Sequence, residues 1–386
     1  MTPPRTIAVV TVSRSDYGHL LPVLEAIRDC PGLALRLLVG GMHLAPAFGH
    51  TVRAVEADGW EIAERVDMLD ADDSPAGVAA AIGRGVDGFA RAYARQRPDL
   101  VVVLGDRFEM LAAAVAALPF ALPVAHVHGG EVTEGAIDNQ MRHAITKLAH
   151  LHFASAAPHA RRIREMGEEA WRIHDVGAPG LDRLRRLEPL SRAALAADLG
   201  LDPGHRWLVV TYHPVTLEYG EAVGQVDELL AALEKVDATP VITAPNADTA
   251  GRTLLRRLEE FAARSPRARL VASLGERRYL SLLRHADAMV GNSSSGLIEA
   301  PSFELPAVNV GTRQDGRLRG DNVLDVAPDR DAIVRAVEAA LAPAFRERLR
   351  GRPNPYGDGR AAERIVRVLR EVPLGDRLVR KKAVDA

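Results

Sequence analysis

LPVAHVHGGEVTEGAIDNQMRHAITKLAHLH, residues 122–152, is the stretch from which the rest of this chain is best understood. Leu122 to Val127 form a short apolar run of the kind that makes a buried strand. The run breaks at Gly129-Gly130, and Glu131, Glu134 and Asp138 then fall within eight positions. A helical pattern follows, with Ile145 and Leu148 apolar and Arg142 four residues after Asp138. Open α/β sheets carry their chemistry where a strand ends in glycines and acids before a helix. Carboxylates, histidines and an arginine at such an edge exceed what packing needs.

The same grammar runs outward on both sides. Toward the N-terminus, Thr6 to Val12 reads as a strand ending in Ser13-Arg14-Ser15-Asp16, before an amphipathic helix through Leu20, Leu24 and Ile27. Leu33 to Gly41 and Ile62 to Leu69 read as strands, Phe48 to Asp58 and Ser74 to Arg97 as helices, and Leu100 to Leu104 as a strand ending in Gly105-Asp106-Arg107. A further strand is expected at Leu151 to Ala154. Strands without polar alternation, separated by helices, indicate a parallel sheet covered on both faces. From Val176 to Gly204 the chain is rich in Gly, Pro and charge and reads as a linker with short helices. A second alternating series follows. Trp207 to Tyr212 ends at His213, Val241 to Thr243 at Pro245-Asn246, and Ala288 to Val290 at Gly291-Asn292-Ser293-Ser294-Ser295-Gly296. Arg269 to Ala272 is another strand, and Ala307 to Val310 ends at Gly311-Thr312-Arg313. The last residues, RKKAVDA, are expected to fray. The fold class is α/β, with two doubly wound domains facing each other across a cleft and sharing a ligand there.

Composition narrows the function. At 386 residues the chain is too long for one ordinary core. Its 49 basic and 51 acidic side chains leave a net charge of −2, which gives no reason to expect nucleic acid or an anionic membrane. The single cysteine, Cys30, excludes an internal disulfide and fits a reducing compartment, so a cytoplasmic location is expected. No apolar run approaches membrane-spanning length, and the N-terminal run reads as a first strand, not as a signal peptide.

The chemistry-bearing residues fall into groups. Gly291 to Gly296 joins a strand to a helix expected near Leu297; small residues, hydroxyls and a helix N-terminus suit a diphosphate, though they also make an ordinary serine cap. There is no Walker lysine pattern and no G-x-G-x-x-G, so neither ATP hydrolysis nor nicotinamide chemistry is expected. Arg14, Arg107 and Arg313 each follow a strand end and suit bidentate contact with phosphate or carboxylate; other arginines read as solvated charge. Glu299 suits ribose hydroxyls or a helix cap. His126 and His128, two apart on a strand, should share a face; with His150 and His152 they raise the question of a metal, which the lack of cysteine partners answers against. His213 reads as a general acid or phosphate partner, or as a packed histidine. Asp106, Glu131, Glu134 and Asp138 are the acid/base candidates, with Asp138 equally able to cap its helix.

Taken together, SRSDYG (with Arg14 and Asp16), GDRFEM, HGGEVTEGAIDNQMRHAITK, YHPVT, PNAD, GNSSSG and GTRQDGR resemble the hydrolysing UDP-N-acetylglucosamine 2-epimerases across nearly the whole chain and in order. The resemblance is to the bacterial branch that feeds sialic-type sugar synthesis. It implies a GT-B-like architecture of two Rossmann-like domains, 1–178 and 179–358, with 359–386 returning to the first. It implies a homodimer, a UDP-sugar substrate, and no metal or redox cofactor. The reaction implied is anti elimination of UDP to 2-acetamidoglucal, then hydration to N-acetylmannosamine. By position, Arg14, Arg107, His213, Asn246, Ser293, Ser294, Glu299 and Arg313 match nucleotide-binding residues, within the segments that include Asp16, Gly291 and Gly296. Asp106, Glu131, Asp138 and Arg142 match the catalytic surroundings. Animal members have glutamate where this chain has His128 and lysine where it has His19, while bacterial members often carry the histidine form. Glu131 and Asp106 are the leading pair for the base, with Asp138 and His128 in support.

Rival readings remain within reach of the same sequence. Non-hydrolysing relatives carry an HVEAGLR-type stretch, against which HVHGGEVTEGAID argues. Hydrolysing members that act on UDP- or GDP-linked N,N'-diacetylbacillosamine share these motifs. A GT-B glycosyltransferase would use the same phosphate seat but leave the acid cluster without a duty. A nucleotide-sugar-binding regulatory protein would bind without releasing UDP.

Overall fold

The structure, a computed structural model, describes residues 3–70, 72, 74–133, 137–213, 221–244, 251–271 and 274–384. The chain divides into two compact units, Met1–Arg183 with Tyr356–Ala386, and Leu184–Pro355.

The first unit is built on strands β1 (Arg5–Thr11), β2 (Leu33–Gly40), β3 (Ile62–Val66), β4 (Leu100–Leu104), β5 (Val124–Val127), β6 (Leu151–Ala154) and β7 (Ile173–Asp175). They form a seven-stranded sheet in the order β3-β2-β1-β4-β5-β6-β7, with every pairing parallel. The central strands are apolar end to end because helices cover both faces. Ile7, Val9 and Val102 pack on one side with Leu20, Leu24 and Ile27, while Ala8, Val10 and Val101 pack on the other with Phe89, Tyr93 and Met110. The second unit contains β8 (Trp207–Thr211), β9 (Thr239–Thr243), β10 (Arg269–Val271), β11 (Ala288–Gly291), β12 (Ala307–Val310) and β13 (Val323–Val326). Its six-stranded sheet runs β10-β9-β8-β11-β12-β13, again parallel throughout.

Each sheet reverses its winding once, between β1 and β4 in the first and between β8 and β11 in the second. These switch points open a crevice at the carboxyl ends of the strands, because successive connections leave in opposite directions. The expected parallel α/β class is what is found. Two edge strands, β7 and β13, escape the sequence because each is short and half-exposed and so lacks a continuous apolar run.

The C-terminal tail differs from expectation. The helix Ala361–Glu371 lies on the first unit with Ile365, Leu369 and the later Leu378 fully buried, each worth about 1.5–3 kcal/mol relative to exposure. Its first N–H groups, at Ala361 and Ala362, donate to both carboxylate oxygens of Asp182 at 2.9 and 2.7 Å, so its cap comes from far away in sequence. The segment expected to fray is instead held to Val384. Arg172, with no exposed surface, donates to the carbonyls of Leu378, Arg377 and Arg380, and Lys381 donates to those of Lys147 and Ala149. These carbonyls, in or just past the last turn of a helix, are satisfied by cations distant in sequence that the local sequence does not reveal.

Candidate functional site

In the first unit, three loops at the strand ends and one helix converge on one network. After β4, Gly105 takes a positive φ and presents Asp106. After β5, His128 and Gly130 take positive φ values of 62° and 74°, which turns the chain back toward the sheet edge and presents Glu131. The helix Asp138–Leu148 contributes Asp138 and Arg142, and Ser155 follows β6.

Arg142 is the hub. Its guanidinium is buried and donates to Asp106 Oδ2, to Glu131 Oε2 at 3.4 Å and to Thr133 Oγ1 at 3.2 Å. Glu131 Oε1 accepts from His128 Nδ1 and from Ser155 Oγ, each at 2.5 Å, and the Ser155 hydroxyl lies 2.9 Å from His159 Nδ1. Burial by itself would raise the pKa of Glu131, but His128, then Arg142 and His159, outweigh it and hold the carboxyl well below its ordinary value. Asp138 moves the other way. Burial and the neighbouring Asp106 charge raise its pKa against the opposing pull of Arg107 and Arg142. Two carboxyls with opposite displacements in one site are suited to opposite proton roles.

Several sequence expectations need correcting here. His126 and His128 do not share a face, because β5 ends at Val127 and the left-handed turn at His128 breaks the alternation. His126 points into the core, with Nε2 on the Gly105 carbonyl at 2.7 Å and Nδ1 3.2 Å from Thr146 Oγ1; burial lowers its pKa to about 3. His150 and His152 are structural as well: His150 Nδ1 accepts from Val124 N, and His152 Nε2 meets the buried Glu168 at 3.1 Å. Asp16 turns inward. Its Oδ2 accepts from Thr11 Oγ1 at 2.6 Å and Val12 N at 3.0 Å, and its Oδ1 from the Ser13 hydroxyl, so it fastens the turn after β1. Arg107 pairs with the fully buried Glu109 through two contacts at 3.1 and 3.2 Å. Arg14 lies exposed at the start of the helix Arg14–Arg28. Glu134 and Asn246 lie outside the described residues.

In the second unit the switch-point loops are tied together. Asn292 is buried, and its amide spans the backbone of His213, accepting from the N–H at 2.7 Å and donating to the carbonyl at 2.8 Å. Its own carbonyl accepts from Arg313 Nη1 at 3.0 Å and Gln314 Nε2 at 2.7 Å. Gly291 has φ 129°, and a Cβ there would sit 2.0 Å from the Thr211 carbonyl oxygen, so only glycine fits. The loop thus brings His213, Ser293, Ser294 and Arg313 to the ends of β8, β11 and β12. The helix that follows the serines is shorter than expected, Ser295–Ile298, and begins at Ser295 instead of near Leu297. A single turn has little macrodipole, so the groups here suited to an anion are hydroxyls, backbone amides and Arg313. Burial, followed by the charge of Arg313, lowers the His213 pKa to about 4. Gly296 is anchored through its carbonyl by Asn322 Nδ2 at 3.0 Å, and Glu299 follows the short helix.

Glu109, Ser155, His159 and Tyr279 escaped the sequence reading. Tyr279, on the helix Gly275–His285, is bonded to the Ser293 and Ser295 side chains; burial and then the Glu299 charge raise its pKa. For Ser155 a signal existed, since it follows a strand end as Asp106 and His213 do. For Tyr279 none did, because it lies mid-helix.

Two doubly wound parallel-sheet units, each with polar loops gathered at its switch point, define a GT-B-like α/β protein. The fold is shared with the UDP-N-acetylglucosamine 2-epimerase of Neisseria meningitidis bound to UDP-N-acetylglucosamine (TM-score 0.81, 16% identity, 94% of this chain and 99% of that one). The family model for UDP-N-acetylglucosamine 2-epimerase matches residues 25–370, and the chain belongs to that family. Its similarity is to the hydrolysing branch. It is 37% identical to the UDP-N,N'-diacetylbacillosamine 2-epimerase (hydrolyzing) of Legionella pneumophila over 98% of each chain. It is 34% identical to the GDP/UDP-N,N'-diacetylbacillosamine 2-epimerase (hydrolyzing) of Campylobacter jejuni over 83% of this chain and 84% of that one.

Proposed function

We propose that the protein is a hydrolysing 2-epimerase of a UDP-linked 2-acetamido sugar. The observation that carries this reading is the opposed pair of carboxyls around Arg142: Glu131 held ionised and Asp138 displaced toward its protonated form. Inversion at C2 by elimination and hydration needs one group that takes the C2 proton and another that gives a proton back. Asp138 is the donor in this reading. Asp106 sustains its proton affinity, and Arg142 orients the cluster. In the second unit, Ser293, Ser294, Arg313 and the backbone of the Gly291–Gly296 loop receive the diphosphate, and Glu299 takes the ribose. Arg14, Arg107 and Asn246 are further nucleotide contacts carried over from the resemblance. A diphosphate beside His213 favours the ring's protonated form, so the departing UDP draws a proton onto it.

Two sugars fit. The family description favours UDP-N-acetylglucosamine; in our reading that sugar would give N-acetylmannosamine and UDP, for sialic-type acid synthesis. The names of the Legionella and Campylobacter relatives favour N,N'-diacetylbacillosamine, on UDP or GDP. The test is proton NMR in heavy water with each nucleotide sugar, without acceptor or metal. Free 2-epimeric sugar deuterated at C2, appearing with the nucleoside diphosphate, supports the reading, and the faster substrate names the sugar. A nucleotide-linked epimer would mean non-hydrolysing chemistry. Release of sugar only to an added acceptor would mean a glycosyltransferase. The reading includes a cytoplasmic homodimer, which light scattering on purified protein and fractionation of cells check.

A further inference from the structure

Among the atoms of the acid cluster, His128 Nε2 stands apart. Glu131 Oε1 is already occupied by the His128 and Ser155 donors at 2.5 Å, and its Oε2 faces Arg142 at 3.4 Å. A carboxylate so engaged keeps one lone-pair site, on Oε2, and that oxygen is turned toward the Arg142 cation, which lowers its basicity. His128 has one ring nitrogen used, Nδ1 on Glu131. Its Nε2 is buried and has no hydrogen-bond partner among the described residues. The residue as a whole is 8% exposed, and the His19 ring lies edge-on to it with centroids 5.9 Å apart.

A buried imidazole nitrogen without a partner is costly, and so is the backbone that holds it. His128 sits at φ 62°, a region a side chain of this size enters at a penalty of about 1–3 kcal/mol. The conformation is imposed from both sides. The His128 N–H donates to the Phe153 carbonyl at 3.1 Å, and a Cβ on Gly130 would come within 2.4 Å of the His159 carbonyl oxygen. The fold therefore over-determines a strained turn that holds the ring with Nδ1 on Glu131 and leaves Nε2 unpaired.

Resting on the function proposed above, we infer that His128 removes the C2 proton through Nε2 and that Glu131 is a positioning residue that fixes the ring tautomer. With Nδ1–H directed at Glu131, the lone pair sits on Nε2, as in other carboxylate–histidine pairs. In the elimination, Nε2 bonds to the C2 hydrogen as the C2–H bond breaks. That electron pair becomes the C1–C2 double bond, and the C1–O bond breaks with its pair leaving on UDP. In the hydration, the Asp138 carboxyl gives its proton to C2, a water oxygen bonds to C1, and the water's proton returns to Asp138. The proton on His128 passes to solvent, and one water is consumed overall.

His128→Gly and His128→Asn both suit a positive φ, so the turn is kept while the ring is lost. The experiment follows UDP release from the nucleotide sugar on which the full chain is active, with UDP affinity by calorimetry as the control for folding. The expected result is a fall in kcat of about 10²–10⁴-fold with KM and UDP affinity within about threefold. Added imidazole should restore release by His128→Gly in proportion to its concentration. Glu131→Gln, which still offers Nδ1 an oxygen, should lose less than His128→Gly. Turnover within about tenfold of the unaltered chain in either His128 variant overturns the inference. Loss of turnover together with UDP affinity, without imidazole rescue, also overturns it, by making His128 structural. A larger, imidazole-insensitive loss in Glu131→Gln returns the base to Glu131. If the unaltered chain releases no UDP from any of the sugars, the proposed function itself falls and the inference with it.

Discussion

Replacing Glu168 by Gln tests how the C-terminal segment is held beneath the helix that carries Asp138 and Arg142. The Glu168 side chain is 1% exposed and is met by Lys147 Nζ at 2.6 Å, Lys381 Nζ at 2.8 Å and His152 Nε2 at 3.1 Å. Burial opposes its ionisation, but bonds from His152, Lys147 and Lys381 outweigh burial and bring its pKa from 4.5 to about 2. Each pH unit of displacement is worth about 1.4 kcal/mol, so the ionised group contributes about 3 kcal/mol to folding at neutral pH. That magnitude agrees with the roughly 3–5 kcal/mol lost when one partner of a buried ion pair is removed. Because the folded pKa is depressed, the contribution is complete above about 4.5 and is lost as pH falls from there through about 2. The assay is urea unfolding of both proteins, followed by tryptophan fluorescence, at a series of pH values from 7 down to the acid limit of folding. Glu168→Gln should be less stable by about 3 kcal/mol at pH 7, and the gap should narrow below pH 4.5. A variant within about 0.5 kcal/mol of the unaltered chain at pH 7, or a gap unchanged in acid, would refute the reasoning.

Three further outcomes follow from the site. Arg142→Met strands Glu131 and Asp106 without their shared cation and should cost about 3–5 kcal/mol in urea unfolding, along with most of the turnover. Gly291→Ala drives a Cβ against the Thr211 carbonyl oxygen in a backbone that cannot yield cheaply, and should destabilise the second unit by about 2–4 kcal/mol, read through Trp207 fluorescence. Ser294→Ala should weaken UDP binding by about 1 kcal/mol in calorimetry and leave the unfolding curve in place. An unchanged UDP affinity would remove Ser294 from the diphosphate seat.

The local content of the sequence determined the class of this protein. Unbroken apolar runs such as Leu100–Leu104, short, valine-rich and bounded by turn residues, read as strands buried on both faces, and the glycines and polar residues that end them mark the loops of a parallel sheet. The parallel α/β class, the strand-end positions of Asp106, Glu131, His213 and Arg313, and the family resemblance were all legible because each depends on residues close together in the chain. What each polar group does was not legible, since a proton's position depends on whichever groups lie within a few ångströms. Ser155 and Arg142 arrive at Glu131 from different elements and occupy its oxygens, and His159 stands behind Ser155. Thr11, Val12 and Ser13 turn Asp16 inward, although the resemblance placed it within a nucleotide-binding segment. The left-handed turn at His128 separates it from His126, which strand periodicity had paired with it. The C-terminal segment looked free because its partners, Arg172 and Glu168, lie some two hundred residues away in sequence and meet it only once the sheet is formed. Periodicity and turn chemistry act along the chain, whereas desolvation and charge act through space, and tertiary structure alone decides the second.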